Sequence, residues 1–285
     1  MEMINLKDLA IKVEEIPILP DRINKIIEIT ENPDSDIKDL EDEILKDQSI
    51  TSKILKLANS TYYGYAKRIC TISEAIVLLG SQTIKSLVLT SAVSKLLINE
   101  LPGGYHLGKY DLWNQSQSCA MISKFIALKI HYPSPEEAYI AGLLRDIGKP
   151  ILNFYVSQEY NSILNKIENE SKTFIQAEEE VLGFTHAQIG SMVAEKWNFP
   201  TPLVESIQYH HSPEKAQSNQ KLVSIVHIAD AVTMMMGIGL GSDGLSYNFS
   251  NFAFKTLGIE EDVIEEILFE VTNRLENNND FSILN

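Results

Sequence analysis

Between Asp21 and Glu31 the apolar residues Ile23, Ile26 and Ile27, followed by Thr30, recur at three- and four-residue spacing. That spacing places them on one face of an α-helix. Pro20 stands before the segment and Asn32-Pro33 behind it, so both ends carry helix punctuation. The pattern returns over residues 36–46 through Ile37, Leu40, Ile44 and Leu45. It returns again in a segment that Ser49 is expected to cap and that runs through Ile54, Leu55 and Ala58 to Asn59-Ser60. Residues 73–79 predict a short helix ended by Gly80, and residues 81–98 a longer one.

Pro102-Gly103-Gly104, followed by Gly108, is the sharpest change in composition and the expected domain joint. Beyond it Asp111 is expected to cap a helix reaching about residue 130. Ser134-Pro135-Glu136-Glu137 combines a cap, a proline at the first helical position and acids in the first turn, and its helix is expected to end at Gly148 with Pro150 behind. Thr185 opens a helix carrying Ile189, Met192, Val193 and Trp197, and Thr201-Pro202 opens another that ends near His210-His211. Residues 221–236 and 260–275 complete the set, the latter with Ile264, Ile267, Leu268, Val271 and Leu275 on one face. Residues 237–251 read as a loop, and the tail after Asn277 as polar and mobile. No period-two strand emerges. The expected fold is all-α in two subdomains, residues 1–108 as a helical bundle and residues 109–285 as a second helical subdomain.

Composition narrows the function classes. With 285 residues and 44% hydrophobic content, the chain can bury a substantial core. The net charge of −15 opposes polyanions, so nucleic acid and anionic membrane are not expected partners. The acidity is uneven: 16 acidic against 12 basic residues up to residue 108, then 23 against 12. One locally basic stretch, Lys53, Lys56, Lys67 and Arg68 among Tyr62, Tyr63 and Tyr65, reads as a solvated helix face beside aromatic core. Cys70 and Cys119 are too few for a disulfide framework or a thiolate metal site, which points to a reducing cytoplasm. No signal peptide is read at the N-terminus, and the apolar run over residues 75–98 is broken by Gln82, Lys85 and Lys95. A soluble protein is expected.

The residues with metal-ligand chemistry are Asp146 in Gly142-Leu-Leu-Arg-Asp-Ile-Gly-Lys149, then His186, His210-His211, and Asp230 in His227-Ile-Ala-Asp230. Each alone has an ordinary structural reading. A histidine at a helix end answers the dipole, and an aspartate beside an arginine makes a charge pair. Their joint order and spacing lifts the set above those readings, whereas His106, His131 and His227 fit no such pattern.

In these motifs the chain resembles the HDOD family, helical bacterial signalling modules related to the HD and HD-GYP phosphohydrolases. The first half carries the likeness in Ile16-Pro-Ile-Leu-Pro20, in Ile44-Leu-Lys-Asp-Gln-Ser-Ile-Thr-Ser-Lys-Ile-Leu-Lys-Leu-Ala-Asn-Ser60 and in Ile72-Ser-Glu-Ala-Ile-Val-Leu-Leu-Gly80. The second half carries it in Leu112-Trp-Asn-Gln-Ser116, the Gly142–Lys149 segment, the segment from His186 to Trp197, His210-His211 and Ala229-Asp230. The resemblance implies an N-terminal helical subdomain packed on an HD-like one, and a regulatory or scaffolding role. Asp146 and Asp230 match the HD pattern, and His186, His210 and His211 match the additional histidines of the HD-GYP group. Gln115 and Arg145 stand where that pattern has histidines, and no Gly-Tyr-Pro signature follows the doublet.

Those departures carry chemical weight. An amide oxygen is a far weaker ligand than imidazole for a transition metal, and guanidinium has no lone pair to donate. A fixed cation about 4 Å from a divalent ion repels it by several kcal/mol at an effective dielectric near 20. The expectation is therefore a non-catalytic regulatory module with a vestigial metal constellation of Asp146, His186, His210, His211 and Asp230; no cofactor is expected, and a single divalent ion is the most the set offers to hold. Its partners are expected to be signalling proteins, with homodimerisation open and input arriving from another chain. The competing reading is a phosphohydrolase, acting on a nucleotide or cyclic dinucleotide through an unusual mononuclear site.

Overall fold

A computed structural model of the chain describes residues 19–59, 68–102, 105–155, 159–170, 172–242, 249–260 and 262–277. Among them there is no strand, only an isolated antiparallel bridge between Leu101 and Leu107. The fold is all-α and divides into two compact units, residues 19–95 with those after 268, and residues 96–268.

The first unit holds α1 (Asp21–Glu31), α2 (Ile37–Leu45), α3 (Gln48–Ala58), α4 (Ile72–Leu79) and most of α5 (Ser81–Leu97). Ile23 and Ile26 of α1, Leu40 and Ile44 of α2, Ile54 of α3 and Ile76 of α4 are among its buried residues, as the helical spacing requires. Helix α2 begins in a reciprocal box: Asp36 accepts from the Asp39 amide at 2.8 Å and Asp39 accepts from the Asp36 amide at 3.1 Å. The cap of α3 is Asp47, not Ser49, because the longer carboxylate reaches the amides of both Ser49 (2.9 Å) and Ile50 (3.1 Å). Asn59 closes the far end, donating to the Leu55 and Ile69 carbonyls (2.7 and 2.8 Å) and accepting from the Ile69 amide (2.8 Å). Of the motif residues, 16–18 and Ser60 lie outside the described residues, as do Tyr62, Tyr63, Tyr65, Lys67, the Gly103-Gly104 pair, residues 243–248 of the 237–251 loop and the tail after Asn277.

The second unit contains α6 (Asp111–Lys129), α7 (Pro135–Leu144), α8 (Gly148–Tyr155), α9 (Tyr160–Glu170), α10 (Phe174–Leu182), α11 (His186–Lys196), α12 (Thr201–Tyr209), α13 (Gln220–Met235) and α14 (Asn251–Leu257), and α15 (Asp262–Asn277) crosses its boundary. Helix α6 is buried on nearly all sides, polar Gln115, Ser116, Gln117 and Ser118 included, with α7 and α13 packed against it. The α6–α7 approach is backbone to backbone. A Cβ at Gly142 would lie 2.8 Å from the Cys119 carbonyl oxygen, so only glycine fits there.

Three expectations change. Asp111 does not cap α6; its carboxylate instead accepts the Gly108 amide at 2.8 Å and fastens the turn before the helix. The helix from Pro135 stops at Leu144, and Gly148-Lys149-Pro150 opens α8, since a proline in a first turn loses no helical hydrogen bond. Helices α9, α10 and α14 arise where no helix was expected. In α9 the stretch Tyr160–Glu170 buries little beyond Tyr160 and Ile163, so its apolar signal is thin.

Candidate metal centre

Three helix ends meet around Asp146. Helix α7 gives out at Leu144, and the turn Arg145-Asp146-Ile147 is closed by the Lys149 amide bonding the Asp146 carbonyl at 3.0 Å. Helix α11 starts at His186 behind Thr185, which forms a capping box with Gln188 (3.0 and 3.2 Å). Helix α12 ends at Tyr209, delivering His210 and His211 at its C-terminus. The start of α8 approaches α11 so closely that a Cβ on Gly148 would sit 2.0 Å from the His186 carbonyl oxygen.

One ligand atom from each of Asp146, His186, His210 and His211 lies within 4.8 Å of the other three. His186 Nε2 is 3.0 Å from His211 Nε2 and 3.3 Å from Asp146 Oδ1, and His210 Nε2 is 3.7 Å from that oxygen. A tetrahedral ion with bonds of about 2.0–2.1 Å sets its ligand atoms about 3.3–3.4 Å apart. The separations of 3.0, 3.3 and 3.7 Å straddle that spacing, and the whole set of four atoms spans no more than 4.8 Å.

Hydrogen bonds behind the ligands fix which nitrogen faces inward. A carboxylate can only accept, so His186 donates from Nδ1 to Glu178 Oε2 at 2.8 Å, and the His186 amide donates to the same oxygen at 2.8 Å. His210 donates from Nδ1 to the Ile207 carbonyl at 2.8 Å. Both rings therefore turn Nε2 towards Asp146. Neither Asp146 Oδ1 nor His210 Nε2 has a hydrogen-bond partner, though both residues are buried. Buried ring nitrogens converging on a carboxylate oxygen are costly unless a proton or a cation lies between them, and a divalent metal that displaces the His186 proton fits the donor set.

The second oxygen of Asp146 is taken. Lys149 Nζ lies 2.8 Å from Oδ2 and Arg145 Nη2 3.2 Å from it. Arg145 also bonds Asp230 Oδ1 through Nε at 2.5 Å and the Gly142 carbonyl through Nη1 at 3.2 Å. Burial opposes charge on this guanidinium, but Asp230, Cys119 and Asp146 hold its pKa above the ordinary arginine value. Burial likewise opposes ionisation of Asp146, and Lys149 and Arg145 overcome it, holding the carboxyl well below the usual range. On His186 burial disfavours the charged ring, yet Glu178 and Asp146 outweigh it and raise the pKa to about 9. His211 goes the other way, held well below the usual range by burial and by the neighbouring His210 and His186.

The structure brings together four of the five candidate ligands and sets Asp230 apart, as the partner of Arg145. Gln115 is buried as its helical face required, and its amide donates to Met234 Sδ at 3.4 Å. Cys119 is no ligand in waiting, because burial pushes its thiol up to about 12. Sequence reasoning missed three supporting residues. Glu178 carries His186 and accepts the Tyr105 hydroxyl at 2.7 Å, and its signal was present: with Phe174, Ala177 and Val181 it shares one α10 face. Lys149 holds Asp146. His227 donates from Nδ1 to the His210 carbonyl at 2.7 Å and accepts the Ser250 amide at 2.9 Å, clamping the backbone of a ligand.

The HDOD domain profile matches residues 16–213. Among solved structures, an HDOD domain protein of unknown function from Geobacter sulfurreducens is 28% identical, with a TM-score of 0.76 over 95% of this chain and 93% of its own. A protein from Shewanella amazonensis SB2B, described as a candidate phosphohydrolase, is 26% identical, with a TM-score of 0.72 over 93% of each chain. An uncharacterized protein of Treponema pallidum (strain Nichols) is 28% identical over 237 residues, 78% of this chain. The chain spans 43% of that relative's length. No single helix among the described residues is long and apolar enough to cross a membrane. The profile match covers more than half of the sequence and takes in Asp146, His186, His210 and His211, so the chain belongs to the HDOD domain family, a signal-transduction-associated group of HD-like helical proteins.

Proposed function

We propose that the chain is a regulatory module that acts through protein partners, and that its histidine site holds one divalent ion for structure or regulation without turnover. The observation that carries this reading is the engagement of Asp146 Oδ2 by Lys149 and Arg145. A dinuclear hydrolase needs one carboxylate bridging two ions, and here two fixed ammonium and guanidinium groups hold the bridging oxygen. Arg145 supplies, between Asp146 and Asp230, the positive charge a second ion would bring.

The four-donor set supports the same reading. Structural zinc sites are closed by four protein ligands, whereas catalytic ones keep three and leave a position for water. Asp146, His186, His210 and His211 would hold such an ion, which would supply Lewis-acid charge facing the Asp146 carboxylate. This chain's own residues do the rest: Glu178 orients His186, the Ile207 carbonyl orients His210, and Lys149 and Arg145 hold Asp146 ionised. Signalling proteins remain the proposed partner class, in a cytoplasmic setting, and no nucleic acid or membrane is proposed. Lys53, in the basic stretch, is turned to the Ser91 carbonyl at 3.4 Å, and burial and Lys95 lower its pKa.

The test is metal analysis of protein purified without chelator, with the same sample offered nucleotides, cyclic dinucleotides and phosphomonoesters. One divalent ion per chain, lost in His186→Ala, together with no product, is the expected result. Two ions per chain, or product release abolished by Asp146→Ala, would establish the hydrolase reading instead.

A further inference from the structure

A second feature lies in the first unit, away from the histidines. The end of α1, the turn after it and α2 form one wall of a groove of about 590 Å3, and α4 with the start of α5 forms the other. Leu40 and Ile76 are buried at its base, while Ile37 and Val77 at its lips are 46% and 66% exposed. The walls are tied together. Gln82 Nε2 donates to the Thr30 carbonyl at 3.1 Å, and Lys85 Nζ pairs with Glu31 Oε1 at 2.8 Å.

The rim is strongly acidic. From Glu28 to Glu43 the sequence carries eight carboxylates and one basic residue, Lys38; Lys25 pairs with Glu28, Lys85 with Glu31, and Arg22 and Lys46 with Glu43, which leaves an acidic excess, and Glu31 and Asp36 line the groove itself. A groove whose lining mixes Ile37, Leu40, Ile76 and Val77 with polar side chains, beside an acidic surface, is complementary to an amphipathic ligand with apolar anchors and flanking cations. No strand edge exists among the described residues to pair with an extended peptide, so recognition falls to side chains entering the groove. A helix supplies such anchors at three- and four-residue spacing. A second copy of this chain would bring two acidic rims together, which charge repulsion opposes.

We propose that this groove docks a basic amphipathic helix of a partner protein, with its apolar stripe between Ile37 and Val77 and its lysines or arginines on the carboxylates of α1 and α2. The inference names a partner class for the regulatory reading above, but it rests on residues of the first unit alone.

The probe is a fluorescein-labelled synthetic helix of leucine and lysine, with a leucine–glutamate counterpart, titrated by anisotropy against the full chain. The lysine helix is expected to bind saturably and more weakly as salt rises, and the glutamate helix not at all. Val77→Asp and Ile37→Asp are each expected to weaken binding by at least about tenfold. Both side chains are exposed, so the helical circular-dichroism signal and melting curve should stay at wild type. Mere attraction to a chain of net charge −15 makes the opposite forecast: Val77→Asp adds a negative charge and binds as tightly or tighter. That result, or equal binding of the glutamate helix, overturns the proposal. So does a dimer in sedimentation that Val77→Asp dissociates, since a second copy is then the occupant. Metal content measured on the same variants stays unchanged whichever way the peptide result falls, so failure here and failure of the metal reading are separately visible.

Discussion

Arg145 Nε lies 2.5 Å from Asp230 Oδ1, both side chains wholly out of solvent, and the same guanidinium reaches Asp146 Oδ2 at 3.2 Å. The arginine thus lies between two carboxylates that a dinuclear centre would give to metal. A buried pair of this kind contributes little beyond the cost of desolvating it, but removing one partner strands the other.

Arg145→Ala is therefore expected to lower stability by about 3–5 kcal/mol in denaturant unfolding. The double variant Gln115→His/Arg145→His replaces the cation and the weak amide with imidazoles. It should raise bound divalent metal from one per chain towards two, as read by metal analysis. A stoichiometry that stays at one would mean that Arg145 is not what keeps the second ion out.

Glu178 accepts three hydrogen bonds on two oxygens, from Tyr105, the His186 amide and His186 Nδ1. Glutamine keeps the shape but places an NH2 against one of these donors and removes the charge. Glu178→Gln should weaken metal binding by about 10–100-fold with little change in helix content. Competition against a fluorescent chelator measures it, and wild-type affinity would remove Glu178 from the site's support.

The metal-stripped protein should be most stable near pH 6.5. His186 has a folded pKa of about 9, above its unfolded value, so its contribution is complete below about pH 6.5 and is lost as pH rises through 9. That limb is worth about 3 kcal/mol. His211 is depressed in the fold, so its contribution is lost as pH falls below about 6.5. Urea unfolding across this range should show both limbs, with His186→Gln flattening the alkaline one. Zinc should flatten it too, because binding must expel the His186 Nε2 proton. A stability curve rising steadily to pH 9 contradicts the assignment.

Gly148→Ala should disrupt the centre from behind, since its Cβ would meet the His186 carbonyl oxygen at 2.0 Å. A destabilisation of about 1–3 kcal/mol with loss of metal is expected. Gly183→Ala is the control: it has open space but a φ of +79°, so it should cost stability of about 1 kcal/mol while leaving metal binding intact.

Much of this was legible one residue at a time. Ile23, Ile26, Leu40 and Ile44 declared their helices through spacing, and Thr185 and Pro135 marked helix starts because caps and first turns are local chemistry. The identities of Asp146, His186, His210 and His211, with Arg145 and Gln115 as departures, needed only order along the chain and a family likeness. Helix α9 was not legible, because its few apolar residues gain their helical partners from packing against α10.

Sequence alone determined which helices carry an apolar face and which side chains can ligate a cation, since periodicity and donor chemistry belong to the chain itself. Tertiary structure decided the rest: that Arg145 pairs with Asp230, that Glu178 and not a neighbouring glutamate orients His186, and that four donors meet at one point. Those are relations between residues 8 to 85 positions apart, set by how helix ends pack, and no local pattern encodes them.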